Sequence, residues 1–476
     1  MNNNVTFETS DARLQALYNE ALRLCAGNLQ SFGGLRVLVE GGGYEKLWLE
    51  TQPMGGEMYC KRDLTVGRNN IEVFMDCQRP DGRLPGSIRW TDGRLVPEFN
   101  KLQGFCFPQP ALTLYYMLGR DDSWLRKTAD CLEAFDAYLW RVRDSDGDGL
   151  LESWCVYDTG EDNAVRYGNA PNYWTLDTPP VNEDTVPMAS MDFMSWSYAC
   201  RDTLAKLAAI RGTGSAAYWR EKADEAALAL RRGLWDESKS ACYDRDKTGK
   251  PIPILTHNNL RCMYWRSFAP DMAEAFVARH LTDPAEFWTA LPLPSVAVND
   301  PAFRNAPENN WSGQVEGLTY QRAIGALENY GYDRLVTALG RRLLRAISDS
   351  GDRFTQQYDP FTGAPSLVGQ YSHAPLAPDN TEPAQNGYGP TVLAALEYIA
   401  RIWGVQPAMG RVRFALGSAE KPYRYTQRYL GREYAVESDG KTAAAFIDGR
   451  EVYRGECGVC VVTDEEGNIE EIREIE

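Results

Sequence analysis

Stretches of helical apolar repeat recur along this chain in pairs, over residues 11–26, 63–78, 106–118, 123–142, 190–211, 216–234, 268–279, 314–330, 333–348 and 390–404. In several of them small and apolar residues occupy both faces, as in Leu204-Ala-Lys-Leu-Ala-Ala-Ile and Thr391-Val-Leu-Ala-Ala-Leu-Glu-Tyr-Ile-Ala. A helix that is apolar all round has to be buried among neighbours, so the pattern predicts two helical layers packed on each other. At 476 residues the chain exceeds the length at which one ordinary core stops growing. It folds either as several domains or as one large closed architecture.

After Gly404 the texture changes to short β-rich runs with turn signals: Val412-Arg-Phe-Ala-Leu, Tyr423-Arg-Tyr-Thr-Gln-Arg-Tyr, Ala443-Ala-Ala-Phe-Ile before Asp448-Gly, and Val459-Cys-Val-Val-Thr. This predicts a helical domain over residues 1–404 and a small antiparallel β domain over 405–476. The second carries no evident chemistry and reads as a structural cap.

A balance of 50 basic against 66 acidic residues, net −16, repels phosphate backbones and anionic lipid, which argues against nucleic acid and membranes as partners. A neutral sugar does not feel that penalty. The 13 Trp and 25 Tyr supply both core and faces on which sugar rings could stack. The start, Met-Asn-Asn-Asn-Val-Thr-Phe-Glu, has neither a basic nor an apolar leader region, and no stretch reaches about 18 apolar residues, so a cytoplasmic location is expected. Eleven cysteines, mostly scattered singly, suit reduced core thiols. Cys457 and Cys460 form a lone C-x-x-C without a second pair or a His nearby, which is weak support for zinc.

The long loops between helical pairs carry most of the Gly, Pro, Asn and Trp, and loops of that length are usually functional. Asp144-Ser-Asp-Gly-Asp-Gly has carboxylates at alternate positions, the first half of a calcium-loop pattern, but the twelfth position is Cys155 rather than a bidentate carboxylate. A turn that ends the preceding helix is the simpler reading, and no metal or other cofactor is expected. Next comes Tyr157-Asp-Thr-Gly-Glu-Asp-Asn-Ala-Val-Arg, with Asp158, Glu161 and Asp162 close to Arg166. Like charges and burial raise a carboxyl pKa, as a general acid requires.

This segment resembles the Trp-Glu-Ser-Gly-x-Asp-Asn-Ser-Pro-Arg signature of glycoside hydrolase family 63 and its relatives, the processing α-glucosidases and mannosylglycerate hydrolases, with trehalases more distant. Asn310-Trp-Ser-Gly-Gln-Val-Glu is similar to the family's Trp-Arg-Gly-Pro-x-Trp loop, and Gln356-Gln-Tyr-Asp-Pro-Phe-Thr-Gly to its Glu-x-Tyr-Asn/Asp-Pro-x-Thr-Gly. The resemblance covers most of residues 44–404. It implies a mainly α six-hairpin (α/α)6 toroid with a pocket at one end, inverting attack on a glycosidic bond, and Asp162 as the general acid. The expected substrate is a short α-linked glycoside of glucosidase or mannosidase type. Tyr157, Asn163, Arg166, Trp311, Gln314 and Tyr358, which belong to these motifs, become candidate sugar contacts.

The chain departs from the pattern where the family has its general-base Glu. Gln356 stands there, and a carboxamide cannot take a proton from water near neutral pH. Glu316, in the Trp311 loop, and Glu382, in Asp379-Asn-Thr-Glu-Pro, are candidate substitutes. Each also has a plain structural reading, Glu316 as a first-turn helix glutamate and Glu382 as part of a solvated lid. Three accounts of Gln356 stay open: a natural substitution, an introduced Glu-to-Gln change that traps substrate, and a phosphate nucleophile that needs no base. The corresponding alternatives are a phosphorylase on the same toroid and a sugar-binding form without a base.

The early segment Tyr44-Glu-Lys-Leu-Trp-Leu-Glu-Thr-Gln-Pro-Met-Gly-Gly, with Trp48 and Glu50, reads as sugar-binding floor. Arg62 and Asp63 follow, either gripping hydroxyls of a terminal sugar as the resemblance implies or, for Asp63, capping a helix. His257, His280 and His373 show no metal spacing and receive no catalytic role. Gly41-Gly-Gly lacks the strand and helix context of a phosphate loop. Sugar identity, linkage, aglycone and oligomeric state are not encoded in any motif.

Overall fold

The computed structural model describes residues 4–180, 184–306, 311–366 and 385–476. Its α-helices are α1 (Ala12–Gly27), α2 (Gln52–Tyr59), α3 (Leu64–Asp76), α4 (Pro108–Met117), α5 (Asp122–Val142), α6 (Met191–Arg211), α7 (Ala216–Leu234), α8 (Asn258–Tyr264), α9 (Pro270–Phe276), α10 (Gly317–Glu328), α11 (Asp333–Asp349) and α12 (Gly389–Trp403). Each stretch of helical periodicity has its helix. Asp11, Asp63 and Asp121 cap α1, α3 and α5 by accepting hydrogen bonds from first-turn N–H groups.

The even-numbered helices form the inner layer. Each packs on the next, α2 on α4, α4 on α6, α6 on α8, α8 on α10 and α10 on α12, and α12 returns to α2. Outside them α3 lies against α2, α5 and α7 against α6, α11 against α10 and α12, and α1 against α12. Burial follows the sequence pattern: α12 is buried along nearly its whole length, whereas α7 buries only Ala223, Ala226, Leu230 and Leu234. An inner helix touches protein on every side, so it has no face to give to polar residues.

α2 and α8 escape a periodicity reading because they are short. α2 contains Pro53, Gly55 and Gly56, poor helix formers, and is held by packing instead. Gly56 of α2 faces Gly67 of α3, and a Cβ on either would overlap the other's carbonyl, so the pair lets the two helices approach closely.

The β part has strands β1 (Val5–Thr9), β2 (Val405–Ala408), β3 (Arg411–Leu416), β4 (Tyr423–Tyr429), β5 (Arg432–Ser438), β6 (Thr442–Ile447), β7 (Arg450–Glu456), β8 (Val459–Asp464) and β9 (Ile469–Glu474). They form two antiparallel sheets, ordered β1-β4-β5-β6-β7 and β2-β3-β8-β9. The division expected at residue 404 leaves β1 with the helices, whereas that strand pairs with β4 in register Val5 to Gln427 and so lies in a sheet otherwise built from residues 423–456. Phe7, Trp403 and Tyr425 join the sheets to the helical part. Cys460 packs with Ala415, Val462 and Ile475 while Cys457 lies beside Ser438, so the two thiols of the C-x-x-C sit in different surroundings.

Candidate active site

A pocket of ≈ 210 Å³ opens at the end of the ring where the inner helices begin. Its walls come from the segments that lead into those helices. Glu40, Tyr44, Lys46, Trp48 and Glu50 precede α2, and Lys101 and Gln103 precede α4. Tyr157, Gly160, Asp162 and Tyr173 precede α6, Trp311 precedes α10, and Gln356 and Tyr388 precede α12. A roomier groove of ≈ 270 Å³ lies between α1, α11 and the β sheets, and none of the sequence-predicted site residues lines it.

The acidic loop divides its three carboxylates between two jobs. Asp158 is wholly buried, accepts from Leu102 N (3.0 Å) and Trp154 N (2.9 Å), and pairs with Arg143 at 2.6 Å. Burial alone would raise its pKa, but the Arg143 guanidinium outweighs it and holds the carboxyl below its usual range. Glu161 is buried against Arg166, Arg261, His257 Nε2 (3.0 Å) and Asn258 Nδ2 (3.0 Å), and against the same burial cost the two arginines, with the His257 hydrogen bond, keep it well below the usual range. Arg166 also pairs with Asp192 and Asp244. With its neighbours tied down, Asp162 is the carboxylate of this loop that lines the pocket.

The loop is laced to the next wall. Trp311 N donates to Asp162 O (2.9 Å), and Ser312 Oγ donates to the carbonyl of Asn163 (3.0 Å), which sits at φ 56°. Gly160, at φ 75°, lies so close to Glu50 that a Cβ would overlap its carboxylate. Glu50 is clamped by Arg261 (2.6 Å) and by Arg322, and burial still raises its pKa to about 7 against their pull. Trp48 has the ammonium groups of Lys46 and Lys101 each 5.3 Å from its ring, and Lys101 also lies 5.4 Å from Tyr173. Gln356 lines the pocket with Oε1 accepting from Tyr44 Oη at 3.1 Å.

Residues 59–374 match the model of the mannosylglycerate hydrolase MGH1-like glycoside hydrolase domain, more than half of the chain. The chain belongs to this glycoside hydrolase family. The mannosylglycerate hydrolase of Thermus thermophilus, of glycoside hydrolase family 63 and solved with glucose, has a similar fold at 18% identity and TM-score 0.61, over 80% of this chain and 99% of that one. A structure titled sialidase aligns over 97% of this chain and 41% of its own, at 14% identity and TM-score 0.69. The neutral trehalase of Saccharomyces cerevisiae aligns over 78% and 74% at 12% identity and TM-score 0.57. No curated protein sequence matches the chain.

In this MGH1-like glycosidase the sequence-predicted residues separate into three groups. Trp48, Glu50, Tyr157, Asp162, Trp311 and Gln356 meet in the pocket. Asn163, Arg166, Gln314, Glu316 and Tyr358 stand behind its walls. Arg166 anchors the acidic loop, Gln314 bonds Asn305 (3.2 Å), and Tyr358 Oη donates to Arg353 O (2.6 Å) to brace the turn that carries Gln356. Glu316 is fully buried and accepts from Gln357 Nε2 at 2.5 Å, and burial raises its pKa well above the usual value. Its helix begins at Gly317 rather than near Gln314.

Arg62 and Asp63 form the third group, and the expectation that they grip sugar is corrected. They follow the far end of α2, away from the pocket. Asp63 caps α3 (3.1 Å to Val66 N) and pairs with Arg36 (2.8 Å). Arg62 is enclosed by Tyr18, Tyr425, Glu397 and Cys25. Glu382 and His373 lie outside the described residues.

The three acids at Asp144, Asp146 and Asp148 form the one cluster of metal-ligand type among the described residues, and their oxygens accept backbone N–H groups of the same turn. His257 carries a supporting role that spacing does not reveal, holding Glu161 and packing its ring 5.5 Å from Trp311. Sequence reading missed Glu40, Lys46, Lys101, Gln103, Tyr173 and Tyr388 as pocket residues. None belongs to a motif, although Lys46 lies inside the segment read as floor.

Proposed function

We propose that this glycosidase hydrolyses a short α-linked glycoside with inversion, Asp162 giving its proton to the leaving oxygen. One observation carries the reading: of the three carboxylates in the acidic loop, Asp158 and Glu161 are consumed by buried arginines and Asp162 lines the pocket. Trp48, Tyr157 and Trp311 offer faces for sugar rings, and ≈ 210 Å³ fits a small sugar better than a polymer. The scaffold under this reading is the six-hairpin (α/α)6 toroid, with catalysis in the helical part up to about residue 404. The eleven cysteines, all unpaired, suit a reducing, cytoplasmic setting.

Lys46 and Lys101 favour an anionic aglycone within this class, such as a glycosylglycerate. Both ammonium groups lie 5.3 Å from the Trp48 ring and both pair with Glu98, Lys46 at 2.8 Å and Lys101 at 3.8 Å, in an otherwise acidic pocket. A related Thermus thermophilus mannosylglycerate hydrolase has been solved with D-glycerate. A phosphorylase is less well supported, because inorganic phosphate would have to bind among Glu40, Glu50 and Asp162.

The test is release of reducing sugar from α-linked disaccharides and glycosylglycerates, with and without phosphate, by the protein and by Asp162→Asn. The expected result is phosphate-independent release that falls about 10²- to 10⁴-fold in the variant on natural substrates. The fall should be far smaller on dinitrophenyl glycosides, whose leaving group needs no proton. Equal losses on both substrates would remove Asp162 from the role of acid.

A further inference from the structure

An inverting hydrolysis needs a carboxylate that takes a proton from water, and Gln356 cannot serve. Among the described residues three carboxyls line the pocket, Glu40, Glu50 and Asp162. Under the reading above, on which this inference rests, Asp162 is the acid. Glu50 is held between Arg261 and Arg322, whose guanidinium groups both bond its Oε1 and fix the carboxylate as their counter-ion. Glu40 is in no ion pair among the described residues, and its Oε1 accepts from Tyr388 Oη at 3.0 Å.

The backbone around Glu40 is built to hold that side chain in place. Gly389 N donates to the Glu40 carbonyl at 2.5 Å, and Gly389 lies where a Cβ would overlap that oxygen. Gly41, Gly42 and Gly43 follow at φ 75°, 58° and 96°, turning the chain at once, and Gly41 forms bridges to both Tyr44 and Tyr388. This accounts for the triple glycine, which has no phosphate-loop context. Tyr44 and Tyr388 lie 6.2 Å apart, ring to ring, one holding Gln356 and the other Glu40. The two polar side chains therefore share one wall of the pocket.

We propose that Glu40 is the general base of the reaction, acting on a water held at the wall it shares with Gln356. As the water oxygen bonds to the anomeric carbon, its O–H bond breaks and the proton passes to a Glu40 carboxylate oxygen. The glycosidic C–O bond breaks on the opposite face, and the leaving oxygen takes the proton of Asp162. Exchange with solvent then returns a proton to Asp162 and removes one from Glu40.

The surroundings of Glu40 give the base a recognisable titration. Burial, then the charge of Glu50, raises its pKa well above the usual carboxylate range; the Tyr388 hydrogen bond opposes this, Asp162 adds to it and Arg322 of α10 opposes it. Activity should accordingly switch on at higher pH than an ordinary glutamate base would give.

The test compares the protein with Glu40→Gln, Gln356→Glu and the double variant, with thermal melting as the folding control. Glu40→Gln should lose about 10²- to 10⁴-fold in kcat at nearly unchanged Tm. Sodium azide should restore turnover and yield a glycosyl azide of inverted configuration, since azide is an anion that needs no base. The double variant should recover hydrolysis in water with its acid limb moved to lower pH.

Wild-type kcat in Glu40→Gln overturns the assignment, as does a loss that neither azide nor Gln356→Glu repairs in a folded protein. If Glu40→Gln melts early, Glu40→Asp decides. This change keeps the charge and withdraws it by one methylene, so a fall in kcat at unchanged Tm sustains the role and full kcat removes it. Silence of the unmodified protein on every substrate overturns the hydrolase reading itself, whereas activity that needs Asp162 but not Glu40 overturns only this inference.

Discussion

Tyr44 Oη donates to Gln356 Oε1 over 3.1 Å, tying together two residues 312 positions apart on one wall of the pocket. The bond fixes the rotation of the carboxamide, so Gln356 presents an oriented amide to the pocket. Tyr44→Phe keeps the ring contacts with Trp48 and Tyr388 and removes the hydroxyl that makes this bond. The expected effect is a fall in kcat of about tenfold with KM within about twofold, read from steady-state kinetics on the best substrate.

The Arg143–Asp158 pair holds the acidic loop from below, with neither side chain appreciably exposed. Asp158→Ala leaves Arg143 buried without its partner and should cost about 3–5 kcal/mol, measured by urea unfolding. Because the folded-state pKa of Asp158 is lowered, its contribution is fully present above the ordinary aspartate pKa and is lost as pH falls through the lower folded value. The stability difference between the protein and Asp158→Asn should therefore be constant near neutrality and shrink below about pH 4.

Gly160 stands between the acid and the pocket floor. Gly160→Ala puts a Cβ into the Glu50 carboxylate at a backbone angle that L residues rarely adopt. Glu50 must shift and loosen its bonds to Arg261 and Arg322. A loss of about 1–3 kcal/mol in stability together with a larger proportional loss in kcat is expected, from melting curves and kinetics on one preparation.

Lys101 tests the aglycone. Its ammonium group is buried between Trp48 and Tyr173, and burial, against the attraction of Glu98, lowers its pKa to about 8. For a glycosylglycerate KM should rise as pH passes about 8 and the charge is lost, and Lys101→Met should raise KM about tenfold at neutral pH. A neutral disaccharide should show neither effect. Equal changes on both substrates would make Lys101 a packing residue.

Much of this protein was legible before folding because its signals are local. Helical periodicity located ten of the twelve described helices, since packing between two layers imposes its pattern on each helix separately. The β texture after Gly404 and the acidic loop were equally plain, because turn residues and a run of carboxylates lie within a few positions of one another. Motif resemblance pointed to Asp162, Trp311 and Gln356 as neighbours, and all three line one pocket.

Tertiary structure decided which carboxylates are available for chemistry. Asp158, Glu161 and Asp162 read alike along the chain, but in the fold Arg143 and Arg261 approach from other segments, Arg166 folds back within the loop, and these three arginines bind the first two. The same reason separates Glu316 and Arg62, which turn away from the pocket, from Glu40 and Lys101, which no motif marks and which face into it. Sequence determines which residues are charged and which helices form; the burial and the partners that set each charge's pKa arise only when the ring closes and brings distant segments together.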